Sequence, residues 1–445
     1  MSATIASNQS TAPGSLAFDI LSAIFKLTVG SLWLRDSCCP FVAGPLQLAH
    51  VNQHWRHVAM DSALLWNSID ITKMSNLDMV AYALARSRNA PLHLDIDFYK
   101  LGIHRIRDIM ALLSVHLPRA ETLAIRVGSS SNADVLAPMF RRACLGALRS
   151  LTLACGPRQM SPYDAALFEV TCGMASMESL RIDRVSFSLE LACLFRRLRV
   201  LVIRNVVPSC APTVSDWEEI ERSAPNLERV ALQNVGCRGV VGDARRPLTF
   251  PALTHLELVF AGGSVGLFSL VSSLDAPSLR YLSITASSTN VLECILNQSR
   301  TGTSLRHMVL DFEEIERIHL HAIFSRTPHL TSLDIRAWDS DILDLLNRVE
   351  SAQPGALPHC TALAVLFVTD GDPDDVREFM ESRSTLLPDF AFEHVLFRNK
   401  MVSGEFDEDL DWIHERTSVG VGIGHDEMGW LQTDFYIGLE DYTLS

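Results

Sequence analysis

The chain has 445 residues, of which 48% are hydrophobic and 20% charged, and its formal net charge is −14. This composition excludes a wholly disordered chain and allows a large buried core. The acidic balance, with no basic stripe, argues against a nucleic-acid partner. No apolar run reaches the ~18 residues that a membrane span requires, so we expect no membrane association.

Residues 1–15, MSATIASNQSTAPGS, are polar and predict a disordered tail. They lack the basic start and apolar centre of a secretory signal, so the expected location is the cytoplasm, the nucleus or both. The ten cysteines contain no C-x-x-C pair. We therefore expect reduced core thiols rather than a disulfide framework or a zinc site, and no metal or cofactor.

Residues 16–71 carry three apolar stripes at helical spacing and predict a small all-α module. The stripes lie in LAFDILSAIFKL (16–27), in PLQLAHVNQHWRHVA (45–59) and in LLWNSI (64–69). A module of this size buries its apolar surface poorly, since a core below roughly 70 residues is marginal. Its apolar surface should therefore pack into a groove of a partner or against the region that follows in the chain. Trp55 and Trp66 lie within the stripes, which predicts structural roles for both.

This segment resembles the F-box, in the variant common in fungal (basidiomycete-like) F-box proteins with leucine-rich repeats. The opening motif L-P-x-E-I-L-x-x-I-F and the later W-R-x-V-A and L-W-x-x-I motifs match in order, whereas Ala17, Asn52, Gln53 and Ala63 depart from the pattern. The resemblance implies docking onto the Skp-family adaptor of a cullin–RING ubiquitin ligase. The implied adaptor-binding residues are Leu16, Ile20, Leu21, Ile24, Phe25, Leu48, Val51, Trp55, Leu65 and Trp66. The alternative is that 16–71 only caps a solenoid, because solenoids need capped ends.

Residues 72–119 are expected to form a linker and an N-terminal capping region with a first strand, HLDIDF, near His93. From 120 to 400 the pattern L-x-x-L-x-L recurs at intervals of 21 to 33 residues and predicts one half-buried strand per copy. The central apolar residues of the copies are Leu123, Leu151, Leu180, Leu201, Val230, Leu256, Leu282, Met308, Leu333 and Leu366.

The array resembles the leucine-rich repeat family, which implies an α/β solenoid, a horseshoe of parallel strands. The asparagine or cysteine that the family places two residues after the last leucine is absent; Val185, Val206 and Val235 are examples of what replaces it. That side-chain ladder normally satisfies backbone groups at the turn. We therefore expect irregular turns and uneven curvature.

Between the buried leucines, side chains of the middle and late copies point to the open face of the sheet. They are mixed in charge and include one aromatic anchor, a composition that suits a protein or peptide target better than a phosphorylated one. The candidate substrate-binding residues are His255, Glu257, Tyr281, His307, Asp311, Asp334 and Arg336. Ordinary solvated strand surface is the alternative interpretation.

Residues 401–445 form an acidic C-terminal cap or tail: 402–445 carry eleven acidic residues against Arg416. Large apolar residues such as Trp412 and Phe435 favour a cap over a free tail. No Walker or H-E-x-x-H motif occurs, so no enzymatic activity is expected. The sequence thus predicts a non-catalytic substrate receptor of an SCF-type (Skp–cullin–F-box) ligase with an unidentified protein substrate. The alternative is a leucine-rich repeat interaction scaffold with no ligase link.

Overall fold

The structure is a computed structural model of the chain. It describes residues 17–32, 43–72, 75–99, 101–128, 145–156, 176–185, 195–206, 211–235, 247–260, 270–286, 301–312, 324–335, 343, 346–347, 360–369, 373–387, 392, 394–398, 412–413 and 415–417. The chain divides into two compact units, residues 1–212 with 222–224 and residues 213–221 with 225–445. Each unit is of the α/β solenoid type, in which successive passes of the chain add one parallel strand.

The first unit begins with helices and continues as a parallel ladder. Its described helices are α1 (Phe18–Leu32), α2 (Ala43–Ala49), α3 (Gln53–Asp61), α4 (Leu77–Arg86) and α5 (Ile103–Ser114), with 3-10 turns at Ala63–Leu65 and Leu117–Arg119. Its strands are β1 (Ser68–Ile71), β2 (Leu92–Asp97), β3 (Ala120–Val127), β4 (Ser150–Cys155), β5 (Ser179–Asp183) and β6 (Val200–Arg204). Consecutive strands pair in parallel.

The leucines of the repeat form an aligned row in the first unit. Leu123, Leu151, Leu180 and Leu201 lie opposite one another across β3–β6. None of the four is more than 5% exposed, and each contributes roughly 1.5–3 kcal/mol relative to an exposed leucine. The predicted strand at HLDIDF is confirmed as β2.

The second unit carries the remaining strands. Its helices include α6 (Val214–Ser223), whose last two residues belong to the first unit, α7 (Thr301–Ser304) and α8 (Pro373–Leu386). Its main ladder contains β7 (Arg229–Gln233), β9 (His255–Val259), β11 (Tyr281–Ala286), β12 (His307–Phe312), β13 (Ser332–Ile335), β14 (Val365–Thr369) and β15 (His394–Arg398). The short strands β8 (Leu248–Thr249) and β10 (Leu274–Asp275) pair in parallel as a separate sheet.

The apolar row of the second unit is equally regular. Its members occupy matching positions on successive strands and are at most 5% exposed. They are Val230, Leu256, Leu282, Met308, Leu333 and Leu366. The strand positions, parallel pairing and burial predicted from the repeat are therefore confirmed in both units.

Helix boundaries follow local capping chemistry. At the start of α6, the Thr213 N–H donates to the Asp216 carboxylate at 2.6 Å. The Asp216 N–H donates in return to the Thr213 hydroxyl at 3.2 Å. Helix α8 begins with Pro373 and carries Asp374 and Asp375 in its first turn, where the helix dipole favours acids.

The prediction that residues 16–71 are entirely helical is wrong at the C-terminal end of this segment. Residues 68–71 form strand β1, which pairs with β2 from Ser68 opposite His93 to Ile71 opposite Ile96. Ile69 and Ile71 are buried while Ser68 is exposed, so these four residues follow the two-residue period of a strand. The apolar stripe read as a third helix is instead a single 3-10 turn followed by this strand.

The expectation of irregular turns is wrong at three described turns. Arg184, Asn205 and Asn234 directly follow β5, β6 and β7 and share one left-handed conformation, with φ of 55°, 53° and 52°. A buried valine comes next in each turn. The N–H groups of Arg184 and Asn234 donate to carbonyls at the end of the next strand, each at 2.9 Å. Backbone partners thus take the place of the missing side-chain ladder.

Part of the acidic segment packs against the described chain. Ile413 and Thr417 are each 3% exposed, and the Trp412 ring lies 5.4 Å from the guanidinium of Arg377 on α8. The rest of 401–445 and the tail 1–15 lie outside the described residues, so the C-terminal cap stays a prediction. The described cysteines, Cys155 and Cys360, are both buried. Within the described ranges, no helix has the length and hydrophobicity needed to cross a membrane.

Candidate functional site

The helical module has a small but well-formed core. On α1, Leu21 and Phe25 are each 1% exposed, and the Trp55 ring meets Phe25 edge-on at 4.9 Å. The Asn52 side chain caps α3 by accepting from the Trp55 N–H at 2.8 Å. Ser22 on α1 and Ser62 after α3 share a hydrogen bond between hydroxyls at 2.7 Å. These contacts fix α1 against α3.

Trp66 joins this module to the helix that follows. It is 2% exposed, its Nε1–H donates to the Ala59 carbonyl at 2.8 Å, and its ring meets Tyr82 of α4 in a T-shaped contact at 5.5 Å. The Arg86 guanidinium lies over the Tyr82 ring, 5.1 Å from its centroid. The structural role predicted for Trp66 is therefore confirmed, and the module shares part of its core with the capping region.

Helix α1 also presents an apolar face that the described chain leaves open. Ile20, Ile24 and Leu27 are 52%, 42% and 77% exposed, and their spacing of four and three residues puts them on one side of the helix. Val51, between α2 and α3, and Leu64, in the 3-10 turn, are 57% and 44% exposed. We call these five residues the apolar face of the module.

The implied adaptor-binding residues separate into distinct groups. Ile20, Ile24 and Val51 belong to the apolar face, whereas Leu48 and Trp55 are half-buried. The buried group consists of Leu21, Phe25, Leu65 and Trp66. Leu16 lies outside the described residues. Leu27 and Leu64 are exposed as well, although the F-box resemblance does not include them among the implied binding residues. The spacing of Leu27 from Ile20 and Ile24 is a sequence signal that places Leu27 on the same side of α1.

The second candidate surface lies on the open face of the second unit, meaning the face whose side chains alternate with the buried apolar row. His255, Tyr281 and His307 occupy matching positions at the starts of β9, β11 and β12. The imidazole of His255 stacks on the Tyr281 ring with 5.6 Å between centroids. The structure therefore brings these three predicted residues into one row.

Both imidazoles of this row favour the neutral form. Partial burial, followed by the charge of Arg229, lowers the pKa of His255 to about 4. Burial and the adjacent Arg306 lower the pKa of His307 as well. The His255 Nδ1 atom lies 2.9 Å from the Thr254 hydroxyl. At neutral pH the row is therefore an uncharged aromatic strip.

The acidic candidates lie further along the strands. Glu257 follows His255 by two residues and shares its face, and Thr285 donates a long hydrogen bond of 3.5 Å to Asp311 Oδ2. Asp334 is in the same cross-strand row as Glu257, through Ser283 and Val309, but only 3% of it is exposed. Arg336 lies outside the described residues.

No protein-family model and no curated protein sequence matches this chain. Among solved structures, the leucine-rich repeat-containing protein LegL7 from Legionella pneumophila aligns with a TM-score of 0.38 and 11% identity over 79% of this chain and 98% of its own. A leucine-rich repeat protein from Leptospira interrogans aligns with a TM-score of 0.27 and 12% identity, over 82% and 91%. The complex of Rad7 and Elc1 in yeast aligns with a TM-score of 0.32 and 13% identity, over 79% and 88%.

The class of the molecule follows from its own strand ladders. In each unit, one parallel strand per repeat, a row of buried leucine-type residues and recurring turns define an α/β solenoid, the fold that leucine-rich repeat proteins share. Two surfaces of this solenoid chain are candidate contact surfaces: the apolar face of the helical module and the aromatic row of the second unit.

Proposed function

We propose that this chain is the substrate receptor of an SCF-type ubiquitin ligase. In this proposal the F-box-like module binds a Skp-family adaptor, and through it a cullin–RING ligase, while the repeats bind a protein target. The chain performs no chemistry itself. It raises the effective concentration of target lysines near the ligase and acts in the cytoplasm or the nucleus.

The observation that carries the proposal is the apolar face of the module. Burying an exposed Val, Ile or Leu is favourable by roughly 1.5–3 kcal/mol, so five such side chains left in water favour a protein partner. Leu21 and Phe25 of the same helix are already buried, so α1 has a buried side and a separate side for binding. A helix with two apolar sides suits docking into a groove of another helical protein.

The aromatic row of the second unit supports the target-binding part of the proposal. Tyr281 and its neighbouring imidazoles offer a flat, neutral strip, and Glu257 and Asp311 supply acids further along the same face. Rigid aromatic side chains at the centre of a polar surface are the usual anchors of a protein interface. An extended peptide from the target is the ligand that this surface suits best.

The test is co-purification with a Skp-family adaptor and a cullin. The double variant Ile20→Asp with Ile24→Asp places two charges on the apolar face and should weaken adaptor binding at least about a hundredfold. Leu21 is unsuitable for this purpose because it is 1% exposed and its replacement would damage the core. Circular dichroism and the melting temperature of the double variant should match those of the unmodified chain.

Val115→Asp is the matched control. Val115 is 76% exposed and lies just after α5, outside the module, so the same chemical change should leave adaptor binding intact. If the adaptor still binds the double variant, or never binds the intact chain, the ligase proposal is wrong. An interaction scaffold with no ligase link would then be the remaining function.

A further inference from the structure

A pocket of about 250 Å³ opens on the open face of β1–β4, in the first unit. Polar side chains from two adjacent cross-strand rows line it. One row runs from Ser68 through His93 and Thr122 to Ser150, and the other from Asp70 through Asp95 and Ala124 to Thr152. The volume suits one side chain or one small head group rather than a larger ligand.

The sequence explains why there is a depression at this place. Ala124 is the short member of its row, between the carboxylate of Asp95 and the hydroxyl of Thr152. A larger residue at this position would fill the space. Thr122, one pleat away, has its hydroxyl 3.0 Å from His93 Nδ1, which positions that hydroxyl beside the pocket.

The carboxylates of this pocket are incompletely neutralised. Asp70 and Asp95 lie directly opposite each other on β1 and β2. Arg126 donates to Asp95 Oδ2 at 2.9 Å, but Asp95 Oδ1 is buried and has no hydrogen-bond partner within the described ranges. Burial followed by the charge of Asp95 raises the pKa of Asp70 to about 6, and burial raises the pKa of Asp95. Asp97 adds a further negative charge nearby.

We propose that this pocket binds a primary ammonium group, from a lysine side chain of a protein or from a free alkylamine. An ammonium group is compact and has three donors, so it can reach both carboxylates and one of the hydroxyls of Thr122 and Thr152. This proposal is independent of the ligase proposal.

Two features of the lining favour ammonium over other cations. A guanidinium group binds best to both oxygens of one carboxylate, but Arg126 already occupies one oxygen of Asp95. A calcium ion requires roughly six to eight oxygen ligands. Across the described part of the chain, no group of three His, Cys, Asp or Glu side chains is placed to hold a metal ion.

Calorimetric titration of the full chain with n-butylamine, spermidine and a lysine-containing peptide tests the proposal at pH 7.5. Tetramethylammonium, which has no donors, guanidinium and Ca²⁺ are the comparison cations. Binding of spermidine but not of the peptide would identify a free amine as the source of the group. Binding of the peptide and loss of that binding after Nε-acetylation of its lysine would identify a protein side chain. Either result supports the ammonium site.

Two variants connect the binding to this pocket. Asp70→Asn removes one carboxylate and Ala124→Leu fills the depression without changing the charge, and each should weaken amine binding at least about tenfold. Asp108→Asn is the control, because Asp108 is exposed on α5 and away from the lining residues. Circular dichroism should show that all three variants fold.

The pH dependence supplies a second measurement. Binding needs ionised carboxylates, so affinity should fall as the pH decreases through about 6, where Asp70 becomes protonated. The proposal is overturned if no amine binds at millimolar concentration. It is also overturned if tetramethylammonium, guanidinium or Ca²⁺ binds as tightly as butylamine, or if binding persists in both pocket variants.

Discussion

On the open faces of the two units, partly buried side chains of opposite chemical kinds occur: acids in the first unit and bases in the second. In the first unit, burial raises the pKa of Asp70 and of Asp95. In the second unit, burial lowers the pKa of His255 and of His307. Desolvation is the largest cause at all four positions, and it favours the neutral form in each case. One physical effect thus raises the pKa of acids on one face and lowers the pKa of bases on the other.

The two faces consequently respond to acid in opposite directions. The pKa of Asp70 is about 6 in the folded state against 3.8 for the free side chain, so its contribution stabilises the fold below 3.8 and is lost as the pH rises through 6. The pKa of His255 is about 4 against 6.5, so its contribution is present above 6.5 and is lost as the pH falls through 4. As the pH falls from 6 to 4, the stability gained at Asp70 therefore offsets the stability lost at His255.

The largest effect is expected from removing His255, because its replacement removes both a group with a lowered pKa and the stacking on Tyr281. His255→Gln should reduce the loss of stability between pH 7 and pH 4.5 by about 1–2 kcal/mol, after discounting for partial exposure. At pH 7 the same variant should be less stable by roughly 0.5–1.5 kcal/mol, because the stacking on Tyr281 is lost. Urea unfolding at several pH values measures both quantities.

His394→Gln is the matched control for this variant. His394 also begins a strand, β15, but is exposed, so its replacement should change neither stability nor acid sensitivity. If His255→Gln loses as much stability in acid as the unmodified chain, burial of His255 does not govern the response of the second unit.

Asp70→Asn should have a smaller effect of opposite sign. Removing the carboxylate relieves its desolvation and its repulsion by Asp95, so stability at pH 7.5 should rise by about 1 kcal/mol after discounting for partial exposure. The gain should disappear by about pH 4, where Asp70 is protonated in the folded chain. Asp108→Asn, at an exposed position, should give no gain. A loss of stability at pH 7.5 would contradict the account of the first face.

The strand ladders could be predicted from the sequence because their signal is local and repeated. Leucine-type residues at Leu151, Leu282 and Leu366 recur with an apolar residue two positions later, and this alternation directly encodes a half-buried strand. Strand β1 was missed because Ile69 also fits the helical spacing of Leu65. Four residues are too few to distinguish the two periods, and pairing with β2 decides between them.

The candidate sites could be predicted only in part. His255, Tyr281 and His307 are separated by equal intervals of 26 residues, so their alignment in one row follows from the repeat. The burial of Asp334 depends on its three-dimensional surroundings, which the repeat pattern does not encode. The pocket near Asp70 was missed because it needs β1 to be a strand, and because its shape depends on Ala124 being small beside larger neighbours.

The smallest effect concerns the coupling between the two imidazoles of the second face. Arg229 is the main charge that lowers the pKa of His255, ahead of His307, while Glu228 raises it and Arg280 lowers it further. Replacing a positive neighbour should therefore raise this pKa, by more in Arg229→Gln than in His307→Gln. Proton NMR of the His255 imidazole across pH 3–8 measures both shifts, with His394→Gln as the unshifted reference. The His307→Gln shift should be upward because His307, once protonated, places a positive charge one strand beyond Tyr281, on the same row as His255. A downward shift, or equal shifts in the two variants, would mean that the row responds to changes in packing rather than to charge.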